Sequence, residues 1–359
     1  MIKQGNFLVF EQSNTPLALH SLPVRSLSEG EILVKICYTT LCGSDLHTYC
    51  GMRQEPCPTI LGHEIVGVIE DIVPDYKTFD AIGTALQKGD LVTWTVFASD
   101  PQTDSYNPDI PQKNTALYKY GHRQLTEADS FHGGLATHII LRPYTCIRKL
   151  SASLPLPVAA TINCAVATAA GAIRLAGSVK GKRILISGMG LLGLVCAAMC
   201  KEAGAACIIV SDLDQKRLKL ARKFGAHHTF SPTDQSEEIT NSLLVDCFFD
   251  MSGSPEAMES GIDHLAVGGY AVLIGAVFKQ RKLQIDAEQI IRRILTIRGL
   301  HNYNYSDFNT AVDFITDNLD KYPFTGLIEK EFSLKEVNEA FAYAIDKKPV
   351  RVGILIHQN

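Results

Sequence analysis

The stretch from Arg183 to Asp212, RILISGMGLLGLVCAAMCKEAGAACIIVSD, constrains this chain more than any other. Ile184-Leu185-Ile186 is a short apolar run with β-branched residues, which suits a strand buried on both faces. Gly188-Met189-Gly190-Leu191-Leu192-Gly193 follows, then helix-compatible sequence to Ala203. A second buried-strand run, Ala206 to Ser211, ends on Asp212. In such a unit the first glycine permits a sharp turn, the second lets backbone approach a pyrophosphate, and the third lets helix and strand pack closely. The helix N-terminus then offers free N–H groups and a positive dipole end. Alone, G-x-G-x-x-G is a weak signal. Placed between strand and helix, with an acidic residue about 20 positions on, it predicts a dinucleotide site. Ile184–Cys200 is nearly uncharged, but it is short for a membrane span and carries three glycines in its first half.

A chain of 359 residues has room for two domains, each with its own core. A net charge of -4 gives no electrostatic footprint for nucleic acid or an anionic membrane. The first residues, MIKQGNFLVFEQ, lack the long apolar core of a signal peptide, so the cytoplasm is the expected location. Ten cysteines without a single C-x-x-C then read as buried thiols or metal ligands rather than a disulfide scaffold.

Residues 1 to about 95 read as β-rich, with strands at Ile32–Ile36, Ile65–Ile69 and Leu91–Val96, and a polar connector from Pro74 to Gly89. Ala98–Gly121, with Pro101, Pro108 and Pro111, reads as a long surface loop, and strand signals resume at Leu135–Leu141. Ala159–Ala176 is alanine-rich and helical. Beyond the glycine stretch, strands at Val245–Asp250, Tyr270–Ile274 and Leu295–Gly299 alternate with helices at Gln215–Phe224 and Glu256–Leu265, the pattern of a doubly wound parallel sheet. Helices at Asp307–Leu319 and Leu334–Ile345 and a strand at Arg351–Ile356 close the chain. The expected architecture is a discontinuous β-rich domain, 1–165 with 300–359, interrupted by a cofactor domain at 166–299.

Cys42 in LCGSDLH, His63 with Glu64 in LGHE, and Cys164 in INCAVAT carry soft or borderline metal ligands on loop-like sequence. Two cysteines and a histidine with a fourth position open make a catalytic zinc set. Any one of them alone reads as core packing or a satisfied polar residue. Taken with Gly89-Asp90 opening a later strand and the glycine stretch, these motifs resemble the zinc-type alcohol dehydrogenases of the medium-chain dehydrogenase/reductase superfamily, in order and spacing, over essentially the whole chain. The resemblance implies a GroES-like catalytic domain, a Rossmann cofactor domain and an active site in the cleft between them. It assigns Cys42, His63 and Cys164 to zinc, places Glu64 near the metal, and makes Asp45 the carboxylate that orients an imidazole. Ser44 and His47 relay the alcohol proton to solvent, and Thr168 packs on the nicotinamide. Gly188, Gly190, Leu191, Leu192, Gly193, Asp212, Arg217 and Gly275 bind the cofactor. A carboxylate at Asp212 favours NAD, since it would repel the 2′-phosphate of NADP. Zinc makes the alcohol easier to deprotonate near neutral pH, and hydride leaves carbon more readily from the deprotonated form.

Two departures stand out. Relatives carry a structural zinc on cysteines spaced C-x2-C-x2-C-x7-C. That spacing falls here on Asp100, Thr103, Tyr106 and Asn114, none a cysteine, so one zinc per subunit is expected. Asp80–Gly89, Val92-Thr93-Trp94, Lys119-Tyr120-Gly121-His122 and Ile162-Asn163-Cys164 also resemble a branch associated with phosphonate catabolism. Such matches drift among related sorbitol and threonine dehydrogenases. On that narrower resemblance Arg53 and His301-Asn302-Tyr303 become candidate contacts for an anionic substrate. The expected activity is NAD-dependent, zinc-dependent interconversion of a polar or secondary alcohol and its carbonyl, with a small-molecule partner and a homodimer or homotetramer. The alternatives are a zinc-free quinone or enoyl reductase, which lacks the cysteine and histidine ligands, and a non-catalytic dinucleotide sensor, which needs no proton relay.

Overall fold

The computed structural model describes residues 3–73, 78–233 and 244–357. The start of the Pro74–Gly89 connector therefore lies outside the described residues. By backbone proximity the chain forms two units: Met1–Cys164 with Asn304–Thr316 and Phe324–Asn359, and Ala165–Tyr303 with Asp317–Pro323. The second unit thus holds two short segments, 300–303 and 317–323, that sequence patterning gave to the first. Tyr322 explains the latter: its hydroxyl donates to Glu202 at 2.8 Å and its ring stacks on Phe224 at 5.8 Å.

In the first unit, strand Ile32–Leu41 is the hub. All but one of its residues are buried, and it pairs antiparallel with Glu64–Ile72, with Arg351–Leu355 and with His138–Leu141. Register decides what this brings together. Thr40 pairs with Glu64 and Leu41 with Val352, so Cys42, His63, Glu64 and Arg351 all arrive at one end of the sheet. The hub, Trp94, Tyr120, Phe131 and Phe341 share one apolar core.

The second unit is a six-stranded sheet whose neighbouring strands run parallel. Its order is His228–Phe230, Cys207–Ser211, Arg183–Ser187, Val245–Asp250, Leu265–Leu273, Thr296–Gly299. Strand order reverses at Arg183–Ser187, the switch point at which doubly wound sheets take ligands beyond their carboxyl ends. The glycine stretch follows that strand directly. Helix Leu191–Glu202 is apolar almost all round because residues 193–200 are all buried. The helical stretch Leu156–Ala176 has the length and apolarity of a membrane span, yet 78% of its most apolar window is buried inside the protein.

Short elements differ from the sequence reading. Cys42 is the N-cap of helix Gly43–Tyr49, not a loop residue, and Cys164 lies in a π-helical turn, Ile162–Val166. Gly43, Ser44 and Asp45 are poor helix formers, which hid the first of these. Asp45 Oδ2 accepts the Cys42 N–H at 2.9 Å and stabilises the helix start. Strands Gln4–Val9, Thr145–Lys149 and Ile328–Ser333 and helix Ala287–Arg293 were not anticipated. The expected Leu135–Leu141 strand begins at His138.

Candidate functional site

The ligand atoms of Cys42, His63 and Cys164 all lie within 4.8 Å of one another. Among the described residues this is the one such cluster of three or more His, Cys, Asp or Glu side chains. Three local devices hold it. Asp45 ties two loops together: besides the Cys42 amide, its Oδ1 accepts the Gly62 N–H at 3.3 Å and faces His63 Nδ1 at 3.4 Å. Asn163 Nδ2 donates to the His63 carbonyl at 3.0 Å and its Oδ1 accepts the Ile65 N–H at 3.4 Å, so the residue before Cys164 clamps the histidine loop. Arg351 reaches across from the last strand. Its Nε and Nη2 grip Glu64 at 2.9 and 2.8 Å, and Nη2 lies 3.6 Å from Cys42 Sγ. Glu64 also accepts from the Thr40 hydroxyl.

The electrostatics ask for a cation. The Cys164 thiol donates to Cys42 and, with Arg351 and His63 beside it, holds the Cys42 thiol well below its ordinary range despite burial. Cys164 is correspondingly raised. Burial opposes charge on His63, but Asp45 and Cys42 outweigh it and push the imidazole up to about 10. A thiolate stabilised beside an imidazole that is held positive fits a divalent ion: the ion replaces the proton charge, and the ring nitrogen facing away from Asp45 is the one left to bind it. Two thiolates and an imidazole are a borderline-soft donor set, which suits zinc.

The lobe from Asp100 to Asn114 is held together by one side-chain amide. Asn114 is buried, and its Nδ2 donates to Ser99 Oγ at 3.1 Å and the Asp100 carbonyl at 3.0 Å. Its Oδ1 accepts from Ser105 Oγ at 2.7 Å and the Ala116 N–H at 3.0 Å, with Thr103 Oγ1 bonded to the same amide. One amide thus joins the ends of the lobe, where a metal would need four ligands.

Ser44 and His47 lie a turn apart on helix Gly43–Tyr49, both half-buried. Three apart on a helix, they share a face. Burial lowers the His47 pKa. Tyr303, a candidate anion contact, is fully buried, and the Arg53 guanidinium is paired with Glu55 at 2.8 Å.

In the second unit, the glycines behave differently from one another. Gly188 has φ +92°, and a Cβ on Gly193 would lie 1.9 Å from the Gly188 carbonyl oxygen. A Cβ on Gly190 would meet nothing within 4 Å, leaving open space at an N-cap with no side chain bonded to it. Asp212 accepts the Met189 N–H at 2.6 Å and the Asp214 N–H at 2.8 Å, which fixes its carboxylate beside the loop. Arg217 is half-buried in the first turn of helix Gln215–Lys223, and Thr168 is buried on helix Ala167–Ala176. Asp250, missed in the sequence, ends the next strand as Asp212 ends its own. Its carboxylate accepts Ser252, Gly253 and Gly275 N–H groups at 3.1 Å each, setting the loop that holds Gly275. Arg351 and Asn163 gave no local signal, since their partners are hundreds of residues or a hundred residues away.

Comparison with known proteins agrees with both units. Residues 28–151 match the alcohol dehydrogenase GroES-like domain family, and residues 192–317 match the zinc-binding dehydrogenase family. The chain is 30% identical to an L-threonine 3-dehydrogenase of Pyrococcus horikoshii over 286 residues, 76% of this chain and 75% of that one. It is 26% identical to the sorbitol dehydrogenase of Bacillus subtilis, covering 96% of this chain and 94% of the other. The crystal structure of an alcohol dehydrogenase from Thermotoga maritima superposes with a TM-score of 0.92 at 27% identity, covering 99% of this chain and 100% of that one.

Arg351 is the testable part of this geometry. Replacing it with Met leaves the wholly buried Glu64 carboxylate without its cation, which should cost about 3–5 kcal/mol. The double replacement Arg351→Met with Glu64→Gln should recover most of the loss. Denaturant midpoints of the single and double variants check this, and an R351M as stable as wild type would contradict it.

Proposed function

Since the chain belongs to the zinc-dependent alcohol dehydrogenases of the medium-chain superfamily, with a GroES-like domain and a Rossmann domain, we propose that it interconverts a polar or secondary alcohol and its carbonyl with NAD. The observation that carries this reading is the convergence of half-buried Cys42 and Cys164 on buried His63, in surroundings that stabilise a cation. These three side chains would hold one zinc per subunit. When bound, zinc would supply Lewis acidity that eases loss of the hydroxyl proton, and NAD would supply the hydride acceptor.

The protein's own residues do the rest. Asp45 fixes the orientation of the His63 ring, and Asn163 fixes its backbone. The Ser44 hydroxyl can accept the alcohol proton while passing its own toward His47, which burial keeps neutral and therefore able to receive it. Glu64 lies beside the metal ligands but is held by Arg351 and Thr40, so its part is to compensate Arg351 near Cys42. Gly188, Gly190 and Gly193 with the N–H groups of Leu191 and Leu192 take the pyrophosphate, and Thr168, Arg217 and Gly275 complete the cofactor site. Asp212 takes the ribose hydroxyls, which supports NAD over NADP. Hydroxyalkylphosphonates are among the candidate substrates, on the narrower resemblance of the Lys119–His122 and Ile162–Cys164 segments. The Asn114 network supports a single metal, since the lobe is closed without one. A homodimer or homotetramer is the expected assembly.

Purified protein should contain one zinc per subunit and reduce NAD in the presence of a polar alcohol, with higher kcat/KM for NAD than for NADP. Elemental analysis and a cofactor comparison check this; a zinc content near two, or preference for NADP, would contradict the respective assignment. Ser44→Ala should keep its zinc and lose about 10²–10⁴-fold in kcat, the usual worth of a positioned proton-transfer group. A zinc-loaded variant with near-normal turnover would remove Ser44 from the proton path.

A further inference from the structure

Along a strand, neighbouring side chains leave opposite faces. On Tyr118–Lys119, Tyr118 turns toward Asp129, Arg123 and Arg142: its hydroxyl donates to Asp129 at 2.6 Å and its ring lies 4.7 and 4.8 Å from the two guanidiniums. Lys119 therefore points the other way, where Arg53, Glu55, Cys164 and Lys113 are all near enough to act on its charge. It is half-buried, and its ammonium makes no hydrogen bond or ion pair with any described residue. The carboxylate within reach is already shared: Glu55 Oε1 takes Arg53 Nη2 and His122 Nδ1, each at 2.8 Å. His122 in turn lies over the ring of His63 at 5.1 Å, so this cluster adjoins the ligand trio.

Counting charge leaves an excess. Two thiolates cancel a divalent ion, Arg351 is matched by Glu64, and Asp45 is turned onto backbone amides and His63. Arg53 and Lys119 then share Glu55 alone. Burial and the neighbouring Arg53 push the Lys119 ammonium down to about 8, so it still carries its charge at neutral pH. A half-buried ammonium that makes no direct ion pair, and whose one nearby carboxylate is taken by Arg53 and His122, is costly unless something supplies a further anion.

We propose that Lys119, backed by Arg53, determines substrate specificity, and that the alcohol oxidised carries an anionic oxygen group, a carboxylate or a phosphorus oxyanion, close to the carbinol carbon. The inference rests on the dehydrogenase reading above. The reaction stays the same: the carbinol C–H bond breaks with its electron pair passing to NAD⁺, the hydroxyl proton leaves along the Ser44 path, and C=O forms. Lys119 makes a charge-assisted hydrogen bond to the anionic end and takes no part in bond breaking.

The test is a matched set of alcohols with the zinc- and NAD-loaded protein: 3-hydroxybutanoate, 2-hydroxypropylphosphonate and the neutral 1,3-butanediol. Wild type should favour one of the anions over butanediol by about 10–100-fold in kcat/KM, the worth of one charge-assisted hydrogen bond. The preferred anion tells carboxylate from phosphorus. Lys119→Gln should lower that anionic-to-neutral ratio about tenfold or more, mainly through KM, and Lys119→Arg should restore much of it. Equal or better use of butanediol by wild type, or a ratio unmoved in K119Q, overturns the proposal while leaving the dehydrogenase reading intact. If no alcohol reduces either cofactor, the dehydrogenase reading falls instead. Calorimetric binding of 3-hydroxybutanoate against butanediol, in wild type and K119Q, then still decides the charge preference: tighter anion binding that K119Q abolishes supports it, and equal binding overturns it.

Discussion

Cys42, His63, Glu64, Cys164 and Arg351 form one electrostatic unit at one end of the first unit's sheet, and the local structure depends on how their charges balance. Taking an ion out of water costs several kcal/mol, and a buried pair breaks even only with good geometry and further hydrogen bonds. Arg351 meets that condition by gripping both oxygens of Glu64, which Thr40 also serves. The remaining thiols and imidazole are not balanced among themselves without a positive charge, and it is the imidazole that carries it here. Strand register makes the arrangement unavoidable once the hub strand pairs: Thr40 opposite Glu64 and Leu41 opposite Val352 leave nowhere else for the ends to go. A slip by one residue would turn each of these side chains to the other face.

The second unit solves a different problem with backbone alone. Gly190 leaves open space at the start of helix Leu191–Glu202, while Gly193 lets the helix close onto Gly188. Two buried-strand ends carry acidic residues with separate uses. Asp212 braces the glycine loop through the Met189 amide, and Asp250 gathers three amides of the neighbouring loops. Burial raises the Asp250 carboxyl, while the Ser252 hydroxyl and those amides only partly oppose the rise.

Local sequence carried the features whose physics is local. The glycine stretch, the alternation of strands and helices, and the three ligand motifs each sit within a few neighbouring residues, and the parallel sheet and the converging trio are found where those features predicted. What the sequence hid is set by distant partners. Arg351 contacts Glu64 across 287 positions, and nothing in Pro349-Val350-Arg351 marks it. The helix at Gly43–Tyr49 contradicts the propensity of its first residues and forms because Asp45 caps it. Lys119 was legible only as part of a segment resemblance. Its lack of a partner becomes visible once Glu55 is seen to be shared between Arg53 and His122. Asn114 shows the reverse: the lack of cysteines at 100, 103, 106 and 114 is plain in the sequence, but the hydrogen-bond network of its amide is not.

In the proposed site, Cys42, His63 and Cys164 together bind a catalytic zinc with one position open. Zinc K-edge X-ray absorption on the purified protein tests it most directly. The expected spectrum shows two sulfur neighbours at about 2.3 Å and light-atom neighbours at about 2.0–2.1 Å, with one sulfur lost in Cys42→Ser or Cys164→Ser. Four sulfur neighbours, or a sulfur count unchanged by either substitution, would contradict it.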